Sequence, residues 1–258
     1  LKHSIRAAIW ATVFACHAGM PKSDIEALFV GTLLADIGMA KFSPQFICKN
    51  GPFTRKEYLD YQKHVGIGVD ILRGEENLDQ QVTSIVRAHH ERHDGRGFPR
   101  RQRGDLIPIL ARIANLAYSY ERLLKRSSEA DMSPATAISR LYKQRRIKFA
   151  DQLVYEFIKA LGMFPTGSVV ELATGEIGIV TEQNASQRLT PKITVVTTAR
   201  KQLKSKYELI NQGEQKDQTM IKSITRSLKR GSYNINPASF TDGLFGRRIG
   251  FGKLGLRF

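Results

Sequence analysis

All six histidines of this 258-residue chain fall between positions 3 and 93: His3, His17, His64, His89, His90 and His93. They share that stretch with Asp36, which sits in Leu34-Ala35-Asp36-Ile37-Gly38 at an expected helix end. Imidazole nitrogens and a carboxylate oxygen together suit borderline and hard divalent cations such as iron, manganese or zinc. Ligands carried on separate helices can converge on the interior of a bundle. Spacing alone leaves a plainer alternative open, in which these histidines are ordinary surface or core residues. The densest pattern is His89-His90-Glu91-Arg92-His93-Asp94-Gly95-Arg96-Gly97-Phe98-Pro99, a helix carrying two adjacent histidines followed by a glycine turn. Such a turn can bring backbone N–H groups near whatever the histidines hold and cradle an anion.

The elements that must position these groups are mostly helical through residue 164. Ile5, Ile9 and Val13, with Trp10 and Phe14, recur at the spacing of an amphipathic helix, so Ile9, Trp10 and Phe14 are expected in the core. Ser23 to Glu26 and Thr54 to Glu57 both fit the S/T-x-x-E capping box, predicting helices that run to about Ala35–Gly38 and Leu72. Further helices are expected from Leu78 to about Glu91, from Pro108 to Lys125, after Ser133-Pro134, and from Asp151 to Leu161 before Gly162. Beyond Phe164-Pro165-Thr166-Gly167 the chain becomes rich in Val, Ile and Thr with a turn at Thr174-Gly175, which predicts short strands. The expected organisation is a helical domain over 1–164, a small β-rich appendage over 165–211, and a basic, glycine-bearing tail over 212–258.

Composition narrows the function classes. Hydrophobic residues make up 41% and charged residues 25%, the balance of a folded domain rather than a disordered chain. No apolar run approaches the roughly 20 residues of a membrane-spanning helix. Arg6 and His17 interrupt the apolar stretch near the start, which favours an amphipathic helix over a secretory signal. Cys16 and Cys48 are too few and too far apart for a disulfide framework or a cysteine zinc module, so both are expected to be buried hydrophobes in a reducing, cytoplasmic setting. A start at Leu1 suggests a fragment with a domain upstream. The net charge of +16 favours phosphate-bearing partners, although scattered lysines and arginines more simply read as solvated faces. No motif supports specific nucleic-acid recognition.

The pattern HHExxDGxG[Y/F]P at residues 89–99 resembles the HD-GYP family, a branch of the HD phosphohydrolase superfamily whose active members hydrolyse cyclic di-GMP. The resemblance extends over about residues 1–200. The helix containing His3 is similar to the family's first-histidine helix. Ala35-Asp36-Ile37-Gly38-Met39 stands where the family has His-Asp-x-Gly-Lys, and Lys49 to Glu57 is similar to Lys-Pro-Gly-x-Leu-Thr-x-x-Glu. His64 with Gly68, Ile71 and Leu72, and then Ala111-Arg112-Ile113, continue the match. The implied fold is mainly α, an HD-superfamily helical bundle with a small C-terminal β-strand subdomain.

In active members histidines and aspartates hold two or three metal ions, and a hydroxide bridging them attacks the phosphodiester. Carried over position by position, the remaining ligands are His3, Asp36, His64, His89 and His90. The histidine of the His-Asp pair is Ala35, and a further aspartate is Tyr118. One carboxylate cannot easily offset two neighbouring divalent ions, so one ion (iron, manganese or zinc), or none, is expected. The substrate contacts the resemblance implies are altered too. Met39 replaces the signature lysine, Phe98 replaces the tyrosine of Gly-Tyr-Pro, and Arg126 is the shifted remnant of a phosphate-contacting segment. These losses favour a degenerate, inactive domain that regulates or binds other proteins in cyclic di-GMP signalling. Its loop Asp94-Gly95-Arg96-Gly97-Phe98-Pro99 and the arginines beyond would meet a partner such as a diguanylate-cyclase domain. Two alternatives are a weak metal-dependent phosphohydrolase and a non-catalytic cyclic di-GMP receptor.

Overall fold

In a computed structural model the protein is described over residues 2–49, 51–75, 77–124, 132–184, 190–212, 223–229, 231–237 and 239–240. Arg126 and most of the basic tail lie outside the described residues. The chain divides into two compact units, one of residues 1–125 with 137–161, the other of 126–136 with 162–258. The first is a mainly helical bundle and the second holds an antiparallel sheet.

In the helical unit, α1 (Lys2–His17) packs against α2 (Lys22–Leu34), α6 (Ile109–Leu124) and α8 (Asp151–Leu161). Its buried face is built from Ala7, Ala8, Ala11 and Ala15 with Phe14, small side chains that let the neighbours approach closely. Of the residues expected in the core Phe14 is buried, but Ile9 is 48% exposed and lies with Ile5 and Val13, each 39% exposed, on the other side. Bulk misdirects the sequence reading here, because the alanine stripe permits closer contact. Trp10 is half-buried, and its Nε1–H donates to buried Glu121 Oε2 of α6 at 3.2 Å. Cys16 and Cys48 are exposed rather than buried.

Helix starts follow local capping where a cap forms. α4 (Arg55–Leu72) opens with the expected box, in which Thr54 Oγ1 accepts from Glu57 N at 3.3 Å and Glu57 Oε2 accepts from Thr54 N at 2.7 Å. The box expected at Ser23 does not form. α2 starts two residues earlier, at Lys22 behind Pro21, which already fixes the chain direction. α5 (Gln80–Ala88) starts later than predicted, with the Asp79 carboxylate accepting from Gln81 N at 2.8 Å. Between α2 and α4 lie a 3₁₀ turn, Ile37–Lys41, and the short α3 (Pro44–Ile47); α7 (Pro134–Lys143) begins at Pro134, as Ser133-Pro134 predicts.

The 3₁₀ turn carries Asp36 at its start and lies directly on α4. A Cβ on Gly38 would stand 2.0 Å from the carbonyl oxygen of His64 and 2.7 Å from Gly68 N. Gly38→Ala must therefore push the turn off α4 at a cost of about 3 kcal/mol, the upper end for overpacking. Denaturant unfolding is expected to show that loss together with lowered metal occupancy, because Asp36 moves with the turn; wild-type stability in this variant would contradict the packing.

In the second unit the sheet order is β4-β3-β2-β1-β5, with every neighbour antiparallel. Its strands are β1 (Val169–Leu172), β2 (Ile177–Glu182), β3 (Lys192–Thr197), β4 (Leu203–Asn211) and β5 (Ile224–Ser227). Alternation along the strands buries two faces. Val170, Leu172, Val180, Ile193, Val195 and Ile210 form one cluster, while Val169, Ile177, Ile179 and Val196 form another with Ile235. The fifth strand falls inside the stretch expected to be tail. It is four residues long and mostly polar, too short to show an alternating pattern.

Candidate metal centre

Asp36, His64, His89 and His90 each offer a ligand atom, and these atoms all lie within 4.8 Å of one another. Asp36 leads the 3₁₀ turn, His64 stands on α4, and His89 and His90 follow the last turn of α5. Asp36 Oδ1 is 3.5 Å from His64 Nε2 and 3.9 Å from His89 Nε2. All three atoms are buried without a hydrogen-bond partner among the described residues.

The other imidazole nitrogens explain how the rings are aimed. His64 Nδ1–H donates to the Tyr61 carbonyl at 2.5 Å, and His89 Nδ1–H donates to the Val86 carbonyl at 2.8 Å. A backbone acceptor at Nδ1 fixes the tautomer and leaves the Nε2 lone pair pointing inward, the support common behind metal-bound histidines. Burial pushes all three imidazoles down: His64 below its usual value, His89 to about 4, and His90 well below the ordinary range. For His90 the neighbouring His89, His64, Lys148 and Arg122 add to the effect of burial. The rings are thus neutral near pH 7 and able to donate lone pairs. Three neutral imidazoles with one carboxylate form a donor set for a single divalent ion of the zinc, iron or manganese kind.

The depressed imidazoles carry a pH dependence for the metal-free chain. Between the free value of 6.5 and about 4, an unfolded His89 binds a proton that the folded one refuses. Stability is therefore fully present above 6.5 and declines as pH falls towards 4, by at most about 1.4 kcal/mol per pH unit from this residue. Thermal melts across pH in chelator are expected to show that slope, and His89→Gln is expected to flatten it. An unchanged slope in the variant would place the acid sensitivity elsewhere.

Three of the residues singled out by sequence, His3, Tyr118 and Ala35, stand outside this set. His3 is not among the four converging residues; its ring packs edge-on against Tyr118 with centroids 4.2 Å apart. Tyr118 bridges the gap, because its hydroxyl also donates to Asp36 Oδ2. The phenol takes one oxygen of Asp36 and leaves Oδ1 facing the histidines. Burial first, then the charge of Asp36, pushes the Tyr118 hydroxyl well above its ordinary range, so it remains a donor. Ala35 is buried at the end of α2 and offers no lone pair.

The glycine turn after His90 is held in place by hydrogen bonds of its own. Buried Glu91 accepts from Arg100 N at 2.7 Å and Gln102 N at 3.0 Å, while Phe98 N donates to the His90 carbonyl at 3.3 Å. Asp94 accepts from Arg96 N and pairs with Arg92. A Cβ on Gly97 would lie 2.5 Å from both Arg92 N and the His90 oxygen, so the loop folds tightly onto the histidine segment. Phe98 stacks on His90 with centroids 4.5 Å apart, while Pro99, Arg96 and Arg100 are exposed.

Tyr61 escaped the sequence reading. Its hydroxyl meets His90 Nε2 at 3.2 Å and its carbonyl holds His64, so one residue orients two ligands. The signal was present, since Tyr61 precedes His64 by three residues and therefore shares its helix face.

The sequence pattern of the HD domain matches residues 1–153, more than half the chain. The chain belongs to the HD domain family. This HD domain is related to the HD-GYP cyclic di-GMP phosphodiesterases. It is 27% identical over 212 residues to a cyclic di-GMP phosphodiesterase of Pseudomonas aeruginosa, covering 82% of this chain and 51% of that protein. It is 32% identical over 154 residues to the 3'3'-cGAMP-specific phosphodiesterase 2 of Vibrio cholerae, covering 59% of this chain and 30% of the relative. The chain therefore spans about half or less of the length of these curated relatives. Among solved structures, the HDG"Y"P protein Bd1817 from Bdellovibrio bacteriovorus shares the fold at a TM-score of 0.53 and 21% identity, over 62% of this chain and 51% of that one. Among the described residues no helix is long and apolar enough to cross a membrane.

Proposed function

We propose that this HD domain is a metal-dependent phosphohydrolase of reduced power, built around one divalent ion and acting on a cyclic dinucleotide such as cyclic di-GMP. The observation that carries the reading is the convergence of Asp36 Oδ1, His64 Nε2 and His89 Nε2, all buried and unpartnered among the described residues. Leaving three such atoms unsatisfied is costly in an apolar interior, and a cation would satisfy them together. Asp36, His64, His89 and His90 would hold the ion, which supplies an activated water and charge stabilisation at a phosphoryl group. The chain's own residues do the rest. Tyr61 and the Val86 carbonyl fix the rings, Tyr118 fixes Asp36, and the Glu91-anchored loop holds Phe98 over His90. Hydrolysis joins the water oxygen to phosphorus, breaks the bond to one ribose oxygen and leaves that oxygen protonated. The relatives named for cyclic di-GMP and 3'3'-cGAMP support a cyclic dinucleotide as substrate.

A second reading, a catalytically silent regulatory domain that meets a signalling partner such as a diguanylate cyclase through its arginine-bearing loop, draws on Ala35 and Tyr118, which stand where two ligands are expected. One experiment separates the two. Purified chain loaded with manganese, iron or zinc is incubated with cyclic di-GMP and with 3'3'-cGAMP, and linear product is measured beside His89→Ala. Slow turnover that disappears in the variant is the expected result; product formation equal in both proteins, or none in either, favours the silent domain.

A further inference from the structure

Two cations beside this centre have no assigned role. α6 carries Tyr118 and, four residues on, Arg122, so both lie on one helix face. Lys148 approaches the same helix from the segment before α8 and donates to Ser119 Oγ at 2.8 Å. That segment is fixed from its other side, because His93 N and Asp94 N donate to the Lys148 and Ile147 carbonyls, each at 3.0 Å. Ser119 in turn donates to Asn115 Oδ1 at 3.2 Å, and the Asn115 amide donates to the Glu91 carbonyl. The lysine is thus tied to the histidine segment through a short polar chain. The charges of Lys148 and Arg122 both reach His90, and that of Arg122 also reaches Tyr61 and Tyr118.

Among the described residues neither Lys148 nor Arg122 has a carboxylate within ion-pair distance. Arg92, the third positive charge of the group, is already held by Asp94 at 2.7 Å. Lys148 is half-buried, and burial with its two guanidinium neighbours brings its ammonium down to about 8. Its contacts are the Ser119 hydroxyl and the Phe149 ring, neither of which carries a negative charge. Lys148 holds its charge in this partly dry place beside the exposed Arg122 guanidinium, which is unfavourable until an anion arrives. Asp36 is the single carboxylate of the candidate ligand set, so an ion held there leaves the whole pocket positive.

We propose that Lys148 and Arg122 form a phosphate clamp at the rim of the metal centre, binding non-bridging oxygens of the phosphodiester presented to the Asp36 and histidine set. The ammonium supplies a point charge and the guanidinium a planar fork suited to two phosphate oxygens. The clamp rests on the phosphohydrolase reading for its dinucleotide ligand, whereas its affinity for phosphate stands alone.

Calorimetric titration of inorganic phosphate and, separately, of cyclic di-GMP into metal-loaded and chelator-treated chain tests it. Lys148→Met and Arg122→Gln are each expected to weaken both ligands about tenfold, as for lost hydrogen bonds to a charged group. Metal content should stay at the wild-type level, the salt dependence should become shallower, and Lys148→Arg should retain most of the binding. Phosphate affinity unchanged in the Lys148→Met/Arg122→Gln double variant overturns the clamp, whatever happens to the dinucleotide. Phosphate binding lost in the variants while cyclic di-GMP fails to bind even wild type keeps the clamp and removes the dinucleotide. No binding of either ligand to wild type removes both.

Discussion

Asp36→Asn is expected to leave the chain folded and remove its response to metal. The Tyr118 hydroxyl donates to Asp36 Oδ2, so the amide oxygen of the variant should keep that side and turn its NH₂ towards His64 and His89. Two inward lone pairs that lack partners then gain N–H donors, and the only carboxylate of the set is gone. Metal affinity should fall by more than the roughly 10- to 100-fold typical of losing a mere supporting contact. The melting temperature in chelator should match or exceed that of the wild type, because a neutral hydrogen-bonded cluster replaces orphaned polar atoms. Elemental analysis and melts with and without manganese or zinc read both effects. One tightly held equivalent of metal in Asp36→Asn would overturn the assignment of the centre.

The opposite change is expected to add an ion. Tyr118 packs against His3 and takes one oxygen of Asp36, while Ala35 lies buried beside Asp36 at the end of α2. In Ala35→His/Tyr118→Asp the phenol ring is removed, a second carboxylate stands near His3 and Asp36, and an imidazole is added next to them. Two carboxylates and the extra histidine can offset a second divalent charge, which one carboxylate does poorly. The double variant should hold two ions per chain and hydrolyse cyclic di-GMP about 100- to 1,000-fold faster, the scale of one strong electrostatic contribution to a transition state. Without metal its paired carboxylates repel, so its stability should depend steeply on metal concentration. A single ion and wild-type turnover would mean that Tyr118 does not stand in the way of a second ion.

Much of the local organisation was legible. The box at Thr54 and Glu57 and the Ser133-Pro134 start of α7 depend on residues within one helical turn of each other, so sequence displays them directly. Where a local signal competed with an equally local one, it failed: Pro21 took the start of α2 from Ser23. In α1 Phe14 is buried as expected but Ile9 is not, for another reason. Ile9 has the correct period, but which side of the helix is buried depends on which neighbour comes nearer, and alanine allowed the closer approach.

The sequence by itself determined the helical class, the strand-rich second half and the residue types able to hold a cation: Asp36, His64, His89 and His90. Tertiary structure alone decided that His3 packs against Tyr118, that Tyr118 reaches Asp36 across 82 positions of chain, and that Lys148 meets Ser119 across 29. The reason is physical. Propensity, capping and motif spacing act over a few residues, whereas the direction in which a buried lone pair points is set by packing between helices distant in sequence.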